Sequence, residues 1–208
     1  MPKNQTLDEF YSTFREEVLC ASDTETSGWT TEDFLTNVMM EYLEEAGEVT
    51  DPVICPFRGY GLQMNAYAIS EDCESVDIFV SIYSESDRPR SVSQADIDAA
   101  IKRAIQLYHK AINDLYTAFQ KDNDTYEFAI TLHQNKDNIK HVRICALTNG
   151  LVKPIALKNI TIGDAEISFS LWDVDRLYRC VTSGKMRETI EIDFVEKFQT
   201  SIPCIENN

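Results

Sequence analysis

The segment Val76–Tyr83 constrains the fold most, because its pattern is that of a strand inside a sheet. Its sequence is more continuously apolar than that of a strand with one face in solvent. Two other strands are predicted before it, at Val53 to Arg58 and Leu62 to Ile69, with Gly59 and Gly61 marking the turn between them. We therefore predict a sheet in which Val76–Tyr83 is a central strand.

Helical patterns flank these three strands. Pairs of residues that form helix-capping patterns each precede apolar residues at helical spacing: Thr6 with Glu9, Thr30 with Asp33, and Ser93 with Asp96. The third pair opens the strongest helical signal of the chain, whose apolar stripe runs from Ile97 to Phe119. The sequence thus predicts two helices before the strands and one long helix after them.

The second half of the chain contains shorter elements. Residues Tyr126 to Leu132 are typical of a short helix, with a strand as the alternative. Three strands are predicted at Val142 to Leu147, Val152 to Leu157 and Glu166 to Leu171, followed by a last helix. This order of elements predicts an α/β fold in which helices cover a mixed sheet.

The most distinctive motif lies near the end of the chain. The strand predicted to end at Leu171 is followed by a strand-to-helix junction at Trp172 and Asp173, and Asp173 is placed to cap a helix that Gly184 ends. A further strand is predicted at Ile190 to Phe194. We interpret Trp172 as a packing residue and Asp173 as a cap. The stretch from Trp172 to Phe194 resembles the end of the N-terminal region of AIPR proteins, a bacterial family named for abortive infection and phage resistance. The resemblance continues, more diffusely, over almost the whole chain.

Length and composition indicate one globular domain. The chain has 208 residues, of which 43% are hydrophobic. The resemblance implies that residues 1–208 form a single AIPR N-terminal-like domain. AIPR proteins generally continue past this region, and apolar residues are interleaved with the acids after Glu188. We therefore expect the chain to be a fragment of a longer protein.

Charge and cysteine usage limit the partners and the location. The net charge of −16, from 35 acids against 19 bases, repels phosphate backbones and favours a protein partner or the remainder of its own chain over nucleic acid. No apolar run approaches the ~20 residues that a membrane-spanning helix needs. The six cysteines are scattered without a C-x-x-C pair, and the residues before Asp8 do not form the basic-then-apolar pattern of a secretory leader. We expect reduced thiols and a cytoplasmic protein.

The order of elements, together with the resemblance, implies a likeness to the PD-(D/E)xK restriction-endonuclease core. That core holds Mg²⁺ with acids on its first helix and on its second and third strands, and a lysine on the third strand assists the attacking water. At 100° per residue, Glu45 falls just inside the edge of the apolar arc of the second helix, and it heads a Glu-Ala-Gly-Glu segment that resembles the family's helix end. We expect it to be the acid of this helix that faces the sheet, with a partly solvated position on the flank of the helix as the alternative. Asn65 stands where the resemblance implies an aspartate, and Phe79 to Tyr83 offers neither acid nor lysine.

Three hypotheses of function follow. In the first, the chain is an antiphage-defence domain with a degenerate, nuclease-like remnant site at Glu45 and Asn65, without a cofactor, that acts through protein contacts. The alternative is an active Mg²⁺-dependent nuclease whose catalytic residues are displaced. A third hypothesis, that the chain is an acidic mimic of nucleic acid, rests on its negative charge alone. The bases nearest to the third strand are assigned surface roles: Arg88, Arg90, Lys102 and Arg103.

Overall fold

A six-stranded mixed sheet lies at the centre of the protein. The computed structural model describes residues 5–24, 28–155 and 157–183. Its strands are β1 Val53–Gly59, β2 Leu62–Ile69, β3 Ser75–Ile82, β4 His141–Thr148, β5 Ile160–Ile162 and β6 Ala165–Trp172. They lie in the order β1-β2-β3-β4-β6-β5. The first three predicted strands are confirmed to within one residue at each end.

The direction of the strands changes at β3. β1, β2 and β3 are antiparallel neighbours, β3, β4 and β6 run parallel, and β5 is antiparallel to β6. Phe79 of β3 lies opposite Ala66 on one side and Cys145 on the other. The prediction of a central third strand is confirmed.

Helices cover both faces of the sheet. They are α1 Leu7–Thr24, α2 Thr31–Glu45, α3 Gln94–Ala111, α4 Asp124–Gln134 and α5 Val174–Thr182. α1, α2 and α5 pack with Phe79 on one face, while α3 and α4 pack with Ile78 and Val80 on the other. Both faces of β3 are therefore buried, as its apolar sequence requires, and the α/β prediction is confirmed. None of the helices in the described part of the chain is both long and apolar enough to cross a membrane.

The capping patterns locate the helix starts. The Glu9 and Asp33 carboxylates each accept a hydrogen bond of 2.8 Å from a backbone N–H three residues earlier, at Thr6 and Thr30. The Ser93 hydroxyl accepts from the Asp96 N–H at the start of α3. Residues Tyr126 to Leu132 lie in α4, so the helical reading of that segment is correct.

The long helix ends earlier than its apolar stripe predicts. α3 ends at Ala111 instead of continuing to Phe119, and a short 3₁₀ helix follows at Leu115–Ala118. The Asn113 side chain donates to the His109 carbonyl at 2.6 Å and so competes with the helical backbone. Leu115 is still buried, which explains why the stripe continues past the end of the helix.

The strand predicted at Val152 to Leu157 is wrong. None of the described residues of this segment lies in a strand, and Pro154 has no N–H to donate to a ladder. The short edge strand β5, which the sequence analysis missed, forms a hairpin with β6 instead. The predicted strand at Ile190 to Phe194 lies outside the described residues, as does Gly184.

Candidate functional site at the open end of the sheet

The candidate site lies where the backbone ladder between β2 and β3 stops. Paired positions in this ladder run from Ile69 with Val76 to Ala66 with Phe79. Beyond that point two buried polar side chains of β2, Gln63 and Asn65, continue the contact with β3. The site is therefore built from side chains that replace backbone hydrogen bonds.

Asn65 is the centre of this polar network. Its Oδ1 accepts a hydrogen bond of 2.9 Å from the Ser81 backbone N–H. Its Nδ2 donates to Asp33 Oδ1, also at 2.9 Å. A backbone N–H can only donate and a carboxylate can only accept, so these two partners fix the orientation of the amide.

The Gln63 side chain takes the place of a further backbone hydrogen bond between β2 and β3. Its Nε2 donates to the Ser81 carbonyl at 3.2 Å and to Glu32 Oε1 at 2.8 Å. It also approaches Asn65 Oδ1 at 3.3 Å. Its Oε1 accepts from Arg103 Nε at 2.8 Å. Both backbone polar groups of Ser81 are thus satisfied by β2 side chains.

Residues in the first turns of α2 complete the network. Thr36 Oγ1 lies 2.6 Å from Ser81 Oγ, and both residues are fully buried. Because Thr36 also donates to the Glu32 carbonyl, the Ser81 hydroxyl is the donor in this pair. The remaining oxygen of Asp33, Oδ2, accepts from the Thr30 backbone N–H and hydroxyl.

This arrangement explains why position 65 is an asparagine. A carboxylate there could accept from Ser81 but could not donate to Asp33, and two buried carboxylates 2.9 Å apart would repel each other. The neutral amide satisfies one acceptor and one donor at once. Asn65 is therefore required by its neighbours as they stand.

The structure does not bring Glu45 to Asn65. Glu45 is the last residue of α2 and is exposed, so the expectation that it faces the sheet is wrong. The acid that contacts Asn65 is Asp33, about 18 Å away from Glu45 along the helix axis at 1.5 Å per residue. The buried residue in the last turn of α2 is Leu43.

Sequence reasoning missed five members of the network: Glu32, Asp33, Thr36, Gln63 and Ser81. It assigned Asp33 only a capping role, although a single carboxylate can cap the helix with one oxygen and contact the sheet with the other. The signal that could have identified Gln63 and Ser81 is polarity, because both are polar residues in segments that are mostly apolar.

The third strand contributes hydrogen bonds and packing to the site. Phe79 is fully buried against the α1 and α2 side, and Ser81 belongs to the network. As its sequence shows, β3 has no lysine, and its one acid, Asp77, forms an ion pair with Arg143. Within residues 5–24, 28–155 and 157–183, no group of three or more His, Cys, Asp or Glu side chains is placed to hold a metal ion.

The junction between β6 and α5 forms a second polar contact. Asp173 accepts from the Arg176 backbone N–H at 2.8 Å and from the Val152 N–H at 2.9 Å. The Arg176 guanidinium lies 3.7 Å from the centroid of the Trp172 ring. The predicted packing role of Trp172 and capping role of Asp173 are confirmed.

Comparison with known proteins matches this arrangement to one family. The model of the abortive infection phage resistance (AIPR) protein N-terminal domain matches residues 35–179, which is more than half of the chain. The chain belongs to this family. The sequence-based resemblance to AIPR proteins is thereby confirmed. No curated protein and no solved structure matches significantly.

The AIPR match includes most of the candidate site. It begins at Leu35 within α2 and ends at Arg179 within α5, so it contains Asn65, Ser81 and the Trp172–Asp173 junction. Glu32 and Asp33 lie just before its first residue. The network therefore joins the matched part of the AIPR domain to the start of α2.

Glu32 is a titratable group of this site whose pKa is shifted by its surroundings. Its side chain is 17% exposed and forms an ion pair of 2.8 Å with Arg58, which is 61% exposed. Burial raises the pKa of Glu32 from its ordinary 4.5, and the nearby Arg58 charge only partly offsets this. Its ionised form is therefore less favourable in the folded AIPR domain than in the unfolded chain.

We expect Glu32→Gln to become more stable relative to the unchanged protein as pH rises from ~4, below the ordinary pKa of 4.5, to ~7.5. A carboxyl with a raised folded pKa contributes stability below its unfolded pKa and loses it as pH rises through the folded value. The amide removes this loss and can still accept from Gln63. Urea unfolding of both proteins across this range measures the effect, with the exposed Glu44→Gln as the control for net charge. A stability difference that moves the other way with pH would contradict the expectation.

Proposed function

We propose that this AIPR domain serves antiphage defence in the cytoplasm as a protein-binding module, and that its nuclease-like site does not cleave nucleic acid. Membership of the family supports the role in abortive infection and phage resistance. The observation that carries the non-catalytic part of the proposal is the closed hydrogen-bond network around Asn65. The likeness to the PD-(D/E)xK core rests on the order of elements and remains part of the proposal.

The oxygen atoms of the network are already engaged. Mg²⁺ requires oxygen ligands in near-octahedral geometry and usually one or two carboxylates. Both Asp33 oxygens and Asn65 Oδ1 accept hydrogen bonds from N–H or O–H groups of the protein. An ion at this position would have to displace those donors and leave the Ser81 N–H buried without a partner, which costs roughly 1–3 kcal/mol.

Metal-dependent hydrolysis needs an activated water as well as a bound metal, and the residues at this site do not meet that requirement either. Activation of the attacking water needs carboxylate charge next to the metal and, in this nuclease class, a lysine. The corresponding part of β3 supplies Phe79 and Ser81, and the bases that contact the network are engaged there, Arg103 with Gln63 and Arg58 with Glu32. The site therefore supports a structural role in the fold.

The charge of the chain favours a basic protein as the partner. In the described part of the chain, the ion pairs involve only three carboxylates, those of Glu32, Asp77 and Asp175. With a net charge of −16, the field accelerates encounter with a basic surface and opposes a polynucleotide. A basic surface on another protein, or on the remainder of the same polypeptide, fits this field.

We expect the tagged protein to retain proteins from phage-infected cells at ~0.15 M salt, and to release them as salt is raised, because screening shortens the reach of the charges. The lysate is treated with nuclease beforehand, so that nucleic acid cannot bridge two proteins. A probe of DNA or RNA should show no mobility shift at the same salt concentration. Micromolar or tighter nucleic-acid binding, or capture that disappears on nuclease treatment, would contradict the proposal.

The alternative function is a Mg²⁺-dependent nuclease with displaced catalytic residues. The order of helices and strands favours it, since α2, β1, β2, β3, α3 and β4 follow one another as in that core. Under this alternative Glu45 would supply one metal ligand. Its exposed position at the end of α2 would then require a second cluster of ligands at that end of the sheet.

A further inference from the structure

Three arginines from three separate segments line one cleft beside the polar network. The cleft has a volume of about 390 Å³ and lies between β1, the end of β3 and the first turns of α3. Arg58 comes from β1, Arg103 from α3, and Arg90 from the segment that precedes α3. Sequence analysis assigned Arg90 and Arg103 surface roles and did not place them together.

Among the described residues, two of these guanidinium groups have no carboxylate partner. The acids that line the cleft are Glu32, which pairs with Arg58, and Asp96, which accepts from the Ser93 hydroxyl at 2.6 Å. No ion pair of Arg90 or Arg103 occurs within the described residues. The chain as a whole is acidic, with 35 acids and 19 bases. This cleft differs from that average, because two of its arginines have no carboxylate partner among the described residues.

The fold holds both arginines in place. Arg103 Nε donates to Gln63 Oε1 at 2.8 Å, so the guanidinium is anchored at one end. In the described part of the chain, none of its nitrogens lies within ion-pair distance of a carboxylate. The Arg90 carbonyl accepts from the Leu151 N–H at 2.7 Å. Gly150 packs so closely here that an added Cβ would lie 2.6 Å from the Arg90 carbonyl oxygen. The backbone at Arg90 is therefore fixed by its neighbours.

We propose that this cleft binds a small ligand that carries phosphate groups, with Arg90 and Arg103 as its main contacts. The fork of a guanidinium group matches phosphate oxygens, and Arg pairs with phosphate through charge-assisted hydrogen bonds. The hydroxyl-bearing residues Ser84 and Ser91 line the same cleft and add potential donors. This role goes beyond the protein-binding function proposed above.

The size of the cleft and the field of the protein select a small ligand. A volume of about 390 Å³ lies within the range of small-molecule sites. A polynucleotide would have to bring many phosphates close to a chain of net charge −16, whereas a ligand with two or three phosphates is held locally by the arginines.

The test is calorimetric titration of the protein with pyrophosphate and with ATP, without metal, at 0.15 M NaCl. We expect saturable binding whose affinity falls as salt is raised. We also expect the affinity to be at least tenfold lower in Arg90→Gln and in Arg103→Gln. The matched controls are Arg88→Gln and Lys102→Gln, which replace exposed bases that do not line the cleft and should leave binding unchanged. Arg90 is exposed and its side chain has no part in the polar network, so Arg90→Gln remains informative even where Arg103→Gln destabilises the fold.

The two probes distinguish the sources of the phosphate. Similar affinities would support recognition of phosphate alone, and tighter binding of ATP would support recognition of a nucleotide. Absence of binding for both probes at millimolar concentration would overturn the proposal, as would equal binding by the unchanged protein and Arg90→Gln. Tighter binding of a single-stranded oligonucleotide than of ATP would overturn the assignment to a small ligand.

Discussion

Replacing Asn65 with aspartate should destabilise the protein by about 3 kcal/mol at pH 7, because it breaks a buried polar network and places two carboxylates in contact. The Nδ2 group that donates to Asp33 Oδ1 at 2.9 Å would become an oxygen. Chemical denaturation measures the loss. The matched control is Asn123→Asp, at an exposed helix cap where aspartate serves as well as asparagine, and it should change stability by less than about 0.5 kcal/mol.

The penalty at position 65 should shrink as the pH falls. Burial beside a second carboxylate raises the pKa of the introduced carboxyl above the ~3.9 of a free aspartate. The folded variant therefore binds this proton more tightly than the unfolded chain, and its stability falls as pH rises through the folded pKa. A variant as stable as the unchanged protein at pH 7, or one whose penalty does not vary with pH, would show that Asn65 is not held as described.

Asp173→Ala should destabilise the protein by about 2–3 kcal/mol. The substitution removes the cap of α5 and leaves the Val152 N–H without the acceptor that now lies 2.9 Å away. Thermal and urea unfolding report the change. The control is Asp175→Ala, which lies two residues further on and removes only the exposed ion pair with Arg179 and one charge at the helix start, so less than about 1 kcal/mol is expected. Equal losses in the two variants would contradict the assigned role of Asp173.

The parts of the fold that sequence predicts are those determined by neighbouring residues. The central position of β3 follows from its own apolar pattern, and the start of α2 follows from Thr30 and Asp33. The end of α3 was mispredicted because the apolar stripe continues to Leu115, while a local contact of Asn113 stops the helix. Local chemistry and long-range packing give different answers at that point, and only the structure shows which one prevails.

The candidate site was harder to predict because it depends on how far α2 extends along the sheet. Sequence periodicity gives the side of a helix that faces the sheet, but it does not say which turn meets which strand. Glu45 was chosen from its angle on the helix and from the family resemblance, whereas the turn that contacts Asn65 contains Asp33. The family resemblance drew attention to Asn65, while its hydrogen-bond partners could be identified only from the three-dimensional arrangement of α2, β2 and β3.

The most direct test of a non-catalytic site is an assay of metal-dependent cleavage. The purified protein is incubated with Mg²⁺ or Mn²⁺ and with supercoiled plasmid, linear duplex or single-stranded oligonucleotide. Glu45→Ala is compared in parallel, because its exposed position makes loss of folding a poor explanation for any loss of activity. We expect no cleavage above the no-metal control for either protein. Metal-dependent nicking by the unchanged protein that is lost in Glu45→Ala would contradict the account and favour a nuclease with displaced ligands.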